Sequence, residues 1–220
     1  MKKFLLFAII LSTSFTQINA QYWANVENTG MQIFTKQKES EGVTGSAYYE
    51  QDFMMGTVID KDRRVNLLMR YNAVEDVVVL KPDITTGKEY VLPKIKSIKY
   101  KIGNYTYFID ELNTEDGKLE AYFARFYQGD KSDFVGQPVA DYTPAKAAST
   151  AYGEDKQAKL SVDMVYYISV DGAPFKEVRL KEKDLEDLFK GDKMEDYLDD
   201  NKIKTEQDVV SLLKYYEQLN

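Results

Sequence analysis

Short runs of alternating apolar and polar residues fill the middle of the chain. Val65, Leu67, Met69 and Tyr71 alternate with Asn66, Leu68, Arg70 and Asn72, and Asp76–Leu80 follows after a short turn, which predicts a hairpin. Ile98, Tyr100 and Ile102 stand opposite Ser97, Lys99 and Lys101. Val162, Met164, Tyr166, Ile168 and Val170 stand opposite Ser161, Asp163 and Ser169. Alternation with period two puts one face of a strand on a core and the other in water, as in antiparallel sheet. Asp116-Gly117 and Asp171-Gly172 are hairpin signals because Asp-Gly tolerates positive φ, and the first should join Tyr105–Ile109 to Leu119–Tyr127. Leu119–Tyr127 is apolar on both faces: Leu119, Ala121, Phe123 and Tyr127 on one, Tyr122, Ala124 and Phe126 on the other. Such a strand is either central to two layers or meets a partner.

The period then changes. Leu185, Leu188 and Phe189 recur at helical spacing before Gly191, a residue suited to ending a helix. Met194, Tyr197 and Leu198 form a second apolar stripe. Thr205-x-x-Asp208 has the form of a capping box with Asp in place of Glu, and Val209, Leu212, Leu213 and Tyr216 follow as a third stripe. The expected fold is therefore α+β: a mainly antiparallel β-sheet (meander, sandwich or open barrel) followed by two or three short C-terminal helices. The expected organisation is a signal peptide at 1–20, a leader at 21–45 with one short strand at Met31–Thr35, a β domain at 46–180 and a helical tail at 181–220 packed on the sheet. Residues 129–157, with Pro138, Pro144 and a small-residue run from Ala145 to Ala151, lack strand alternation and read as a long loop.

Lys2-Lys3, the apolar run Phe4–Leu11 and the small residue Ala20 have the order of a secretory signal peptide, too short to span a bilayer. Cleavage near Ala20 predicts a soluble product in the periplasm or outside the cell. The chain has no later apolar stretch of spanning length. It contains 220 residues, no Cys and no His. Triads built on His or Cys, and zinc or haem sites using those ligands, are excluded with them, and so are disulfides. The formal charge of −7 argues against nucleic acid, which needs clustered Lys and Arg.

Candidate chemistry is sparse. The acidic stretch from Asp184 to Asp200 lacks the ligand order of a calcium loop and reads as a solvated helix face. Gly-rich phosphate loops and Ser-x-x-Lys are missing, so no catalytic residue, metal site or cofactor is expected. Tyr105, Tyr107, Tyr122, Phe126, Tyr166 and Tyr167 fall on expected strands, where they either pack the sheet or stack on sugars. Asn104-Tyr105-Thr106 is a weak glycosylation sequon. Arg70-Tyr71-Asn72 is the most distinctive local feature. Arg70 either closes a strand-end ion pair with Glu75 or Asp76, or recognises a carboxylate with its bidentate fork.

Gly45-Ser46-x-Tyr48, Phe53 with Gly56-x-Val58, Leu68-x-Arg70-Tyr71-Asn72, Tyr166-Tyr167-Ile168 and Tyr215-Tyr216 together resemble a group of small secreted proteins from Bacteroidota. Proline is commoner in that group where Ala47 stands. The group offers no activity to carry over to this chain, so no residue inherits a catalytic role and the resemblance implies only an exported bacterial envelope protein built of β-sheet with a helical tail. The functional expectation is a non-enzymatic envelope protein acting through protein–protein binding, as an accessory subunit of an outer-membrane or secretion assembly. Arg70, Tyr71, Asn72, Tyr122 and Phe126 are its candidate binding residues. The alternatives are a periplasmic module binding glycan or lipid through aromatic residues of the sheet, and a carboxylate-dependent hydrolase.

Overall fold

The computed structural model describes residues 34–35, 43–81, 88–92, 94–146 and 155–219; the expected signal peptide and residues 31–33 of the expected first strand lie outside them. The chain is α+β, with one twelve-stranded, mainly antiparallel sheet followed by three short helices. The strands are β1 (Phe34–Thr35), β2 (Val43–Gly45), β3 (Met54–Asp60), β4 (Arg63–Asn72), β5 (Val77–Lys81), β6 (Tyr90–Val91), β7 (Ile98–Ile102), β8 (Tyr105–Thr114), β9 (Gly117–Gln128), β10 (Ser132–Thr143), β11 (Ala158–Val170) and β12 (Lys176–Val178). The helices are α1 (Glu182–Glu186), α2 (Asp192–Asp200) and α3 (Glu206–Gln218). The sheet order is β1-β6-β5-β4-β3-β7-β8-β9-β10-β11-β12, and β2 adds to β11 in parallel.

Most of this order follows from short connections, because sequential hairpins need no long chain closure. The expected β4–β5 hairpin forms, with Asp76 at φ 51° in its turn. Strand β7 buries Ile98, Tyr100 and Ile102 and exposes Lys99 and Lys101, as its alternation requires. Asp171 and Gly172 both take positive φ at the end of β11, the signature of a type I′ turn. The β8–β9 turn is shifted by one residue from its expected place. Its loop residues are Glu115 and Asp116, and Gly117 opens β9 at φ 122°.

Strand β9 is central to two layers. Tyr122 and Ala124 enter one core with Met69, Tyr71, Val78, Leu80, Tyr100 and Tyr107. Ala121 and Phe123 enter another with Phe108, Leu112, Val135 and Tyr167. Most of its double apolarity is thus spent inside the fold, while Phe126 near its end stays half-buried. Its first half pairs with β8 and its last residues with β10, so it carries the chain from one half of the sheet to the other.

The long loop expected at 129–157 is corrected by the structure. Residues 132–143 form β10, which pairs with β11 along its whole length from Ser132↔Val170 to Thr143↔Lys159. Three features hide the strand in the sequence. Phe134 and Val135, adjacent in the chain, are buried in different cores, so the strand shows no apolar–polar alternation there. Gly136 sits where a side chain would collide with Met164 and Phe126. Pro138 lies beyond the last pair with β9, where β10 has β11 on one side only and tolerates a residue without an N–H. The leader keeps its expected short strand in its two described residues and gains a second strand that was not expected. Val43–Gly45 is strand β2, and Phe34–Thr35 pairs with β6.

The helices cover the β10–β12 end of the sheet. Leu185, Phe189, Met194, Leu198, Val209, Leu212 and Leu213 bury against Phe134, Ile168, Val170 and Val178. The capping box forms as expected: Thr205 accepts from the Asp208 N–H, and Asp208 accepts from the Thr205 N–H at 2.9 Å. Gly191 serves differently from expectation. Helix α1 ends at Glu186, and Gly191, at φ 114°, opens α2 instead of closing α1.

Candidate functional site

Two of the five motifs that carried the resemblance, Gly45-Ser46-x-Tyr48 and Arg70-Tyr71-Asn72, meet in space and tie parts of the sheet together. Gly45, at φ 97°, passes so close to β11 that a Cβ would collide with the Leu160 carbonyl oxygen. The Ser46 N–H donates to that carbonyl at 3.2 Å, and Ser46 Oγ accepts from the Tyr48 N–H at 3.0 Å. Tyr48 then bridges to Asn72 at the end of β4, and the Ala73 N–H donates to the Ala47 carbonyl at 2.8 Å. Residues 43–49 thereby tie β11 to β4 across the sheet.

The Arg70-Tyr71-Asn72 motif forms the other half of this clasp. The Arg70 guanidinium carbon lies 3.4 Å from the Tyr48 ring centroid and 4.3 Å from that of Phe53. Arg70 also donates to the Gln51 carbonyl at 3.0 Å and pairs with Glu89 at 3.3 Å. Its partner is therefore Glu89, brought in by β6, and neither Glu75 nor Asp76 as the spacing suggested. Tyr71 is fully buried and donates to Asp76 at 2.5 Å; Asp76 also accepts the Tyr122 N–H and pairs with Lys94. Burial, then the bond to Asp76 and its charge, push the Tyr71 phenol far above its usual range. Asn72 is buried, and its Oδ1 accepts from the N–H groups of Val74 and Glu75, fixing the β4–β5 turn. Tyr122 is fully buried too. Of the five residues singled out in the sequence, Tyr71, Asn72 and Tyr122 are interior and Arg70 is held in the clasp.

Phe126 belongs to a different place. It is half-buried and packs against both the β10–β12 core and the β4–β9 core. Its ring lies 5.8 Å from Tyr105, 5.8 Å from Tyr166 and 4.9 Å from Phe134. Tyr105 in turn meets Tyr49 edge-on at 5.7 Å. Tyr49, Tyr105, Phe126 and Tyr166 come from four separate segments and form one continuous, half-exposed strip of rings.

Two carboxylates border it. Glu206, the first residue of α3, accepts from the Tyr166 hydroxyl at 2.7 Å. Glu50, next to Tyr49, is pushed above the usual carboxylate range, chiefly by burial, with its own backbone and the nearby Tyr107 hydroxyl opposing more weakly. The Tyr105 phenol is raised by burial first, then by Tyr49, then by the charges of Glu206 and Glu50, so both carboxylates act on one ring. Tyr107 is fully buried, and its hydroxyl is near enough to Glu50 for the two to shift each other's proton affinity. The pair is not aligned as a hydrogen bond: the Tyr107 hydroxyl and Glu50 Oε2 are both buried without a partner among the described residues.

The sequence marks Tyr105, Tyr107, Phe126 and Tyr166 as strand aromatics and gives no direct sign of Tyr49, Glu50 and Glu206. The helix-opening position of Glu206 is the one signal it holds, and that says nothing about which strand the helix reaches. Elsewhere, Gln128–Asp133, Ser169 and Gly172 line a shallow polar depression of about 170 Å³. The acidic tail residues do not converge: Asp184 pairs with Arg179, Asp187 with Lys176, and no group of three or more acidic side chains among the described residues is placed to hold a metal ion.

Comparison with protein-family models, with curated proteins and with solved structures found no match to this chain. Among the described residues no helix is long and apolar enough to cross a membrane.

Proposed function

We propose that this chain is a non-enzymatic, exported envelope protein that binds a glycan along the Tyr49–Tyr105–Phe126–Tyr166 strip. The observation that carries this reading is the contact of four half-exposed rings from separate segments, bordered by Glu50 and Glu206. Ring faces stack on the C–H faces of sugars, and carboxylates accept from sugar hydroxyls. The reading agrees with the net negative charge, which disfavours polyanionic ligands. Titration calorimetry against a panel of neutral and amino oligosaccharides tests it. Binding that falls about tenfold in Tyr105→Ala, about 1.4 kcal/mol, supports the strip. Absence of heat from every oligosaccharide overturns it.

The protein-partner reading keeps one structural support. Beyond Gly136, β10 has β11 on one side and no paired strand among the described residues on the other, and Tyr142 there is 57% exposed. An extended peptide adding to Gln137–Thr143 would complete that ladder. Cross-linking in native envelopes with a photoreactive residue at Tyr142 tests it, and a monomer without adducts counts against it.

A further inference from the structure

The Tyr215-Tyr216 motif belongs neither to the clasp nor to the aromatic strip, and its two rings have different partners. The Tyr216 hydroxyl donates to Asp171 at 2.6 Å, and its ring meets Phe189 at 5.1 Å. Tyr215 reaches across to α2 and stacks on Tyr197, with ring centroids 4.6 Å apart and planes 22° from parallel. Both rings of the stack are half-buried. The contact joins α2 to α3 in a chain without Cys, where no disulfide can make such a tie.

Other tyrosine pairs lack one of two properties. Tyr71 and Tyr107 also stack, at 5.2 Å and 12°, but both are 0% exposed. Tyr49 and Tyr105 are half-buried, but they meet edge-on at 72°. Edge-on contact sets the rim of one ring against the face of the other, whereas near-parallel rings lay two rims side by side. Among the described residues, Tyr197 and Tyr215 form the tyrosine pair that is both stacked and open to solvent. With no Cys and a single Trp, tyrosine is also the chain's main donor of single electrons.

We propose that Tyr197 and Tyr215 are a site of oxidative cross-linking, at which a peroxide-driven one-electron oxidant joins the two rings as dityrosine and staples α2 to α3. Each phenol gives one electron to the oxidant and its hydroxyl proton to water. The two phenoxyl radicals pair their electrons in one C–C bond between the carbons ortho to the hydroxyls. The hydrogen on each of those carbons then moves to the phenoxyl oxygen, which restores both phenols. One hydrogen peroxide takes up the two electrons and two protons and leaves as two waters. The staple closes a loop from Tyr197 to Tyr215 and restricts the unfolded chain as a disulfide does.

Treatment of the purified full chain, at high dilution, with hydrogen peroxide and a haem peroxidase tests this. The expected product is monomeric, lighter than the parent by two hydrogens and fluorescent as dityrosine. Digestion should release peptides joined through Tyr197 and Tyr215, and the product should melt at a higher temperature than the untreated chain. Tyr197→Phe and Tyr215→Phe should each abolish the intramolecular product, since phenylalanine keeps the ring but has no phenol to oxidise. Tyr216→Phe, adjacent in the chain but outside the stack, should leave it unchanged. Three outcomes overturn the proposal: a monomeric product joined at other tyrosines, coupling only between molecules, or no dityrosine under conditions that couple free tyrosine.

Discussion

The Arg70 guanidinium stacks on the Tyr48 ring at 3.4 Å, joining the two most distinctive motifs of the chain. Stacking of a planar, half-desolvated guanidinium is worth about 1–2 kcal/mol, and the Glu89 contact adds to it. Removing Arg70 also leaves Glu89 facing the ring cluster unpaired. Arg70→Ala should therefore lower unfolding free energy by about 2 kcal/mol, and Arg70→Lys by roughly half that, because an ammonium keeps the charge but not the planar fork. Urea denaturation measures both. A loss below about 0.5 kcal/mol in Arg70→Ala would mean that the clasp contributes no more than an ordinary surface contact.

Gly45 makes the same junction from the backbone side. Its φ of 97° is strained for any L side chain, and a Cβ would collide with the Leu160 carbonyl oxygen, to which the Ser46 N–H also bonds. Gly45→Ala should cost about 3 kcal/mol or more and separate β2 from β11. Hydrogen exchange at Ser46 and at residues 158–160 should rise ahead of the rest of the sheet. Gly117→Ala is the control for backbone strain alone, because its φ of 122° is equally unsuited to an L side chain while its added Cβ meets nothing within 4 Å.

Acid and neutral stability should be governed by opposite kinds of carboxylate. Asp208 is held below its usual range, chiefly by hydrogen bonds from Lys204 and Thr205, and Asp184 is lowered to about 2 by Arg179. A depressed folded-state value means that the unfolded chain binds protons more readily. The stability these two supply is complete above about pH 4 and is lost as pH falls toward 2. Glu50 works the other way. Its raised value means the folded chain holds the proton more tightly, so its ionisation costs stability as pH rises through its folded-state range. Glu50→Gln should therefore be at least as stable as the parent at pH 7. Asp208→Asn should lose its stability deficit as pH falls below the usual aspartate range. Thermal melts of the three proteins across pH 2.5–7.5 check both signs.

Regular alternation made β4, β7 and β11 legible, and local turn chemistry did the same for the β4–β5 and β8–β9 hairpins and the Thr205 cap. Each of these depends on residues within a few positions of one another. Strand β10 was hidden because Gly136 and Pro138 answer to neighbours 10 to 30 residues away: Phe126, the bulged residue of β9, and Met164 on β11. The parallel pairing of β2 with β11 spans more than a hundred residues and leaves only Gly45 as its trace. Double apolarity of β9 was visible, but periodicity alone could not distinguish a second core from a partner. The aromatic strip was half legible: its strand residues stood out as aromatics, while the meeting of Tyr49, Glu50 and Glu206 with them is a product of tertiary folding.

The C-terminal end of α3 is locked onto the β9–β10 turn by one carboxylate. Glu217 accepts from the Lys131 N–H at 3.0 Å and from Ser132 Oγ at 2.7 Å, and Lys131 Nζ donates to the Leu219 carbonyl at 2.5 Å. Gly129 leaves room for this contact, since a Cβ there would overlap the Glu217 carboxylate. Burial pushes Glu217 up, but the hydrogen bonds from Ser132, Lys131 and Asp130 together outweigh it and hold the carboxyl below its usual range. A second tie runs from the Tyr216 hydroxyl to Asp171 at 2.6 Å, and burial followed by this bond pushes that phenol up to about 12. Glu217→Ala should free the last turn of α3 and the 129–132 turn together, because each supplies the other's partners. Hydrogen exchange should speed up at least tenfold at Lys131 and Ser132, while Leu212 and Leu213, buried in the helix–sheet core, keep their protection. Unchanged exchange at Lys131 would mean that the turn is held by β9 and β10 alone.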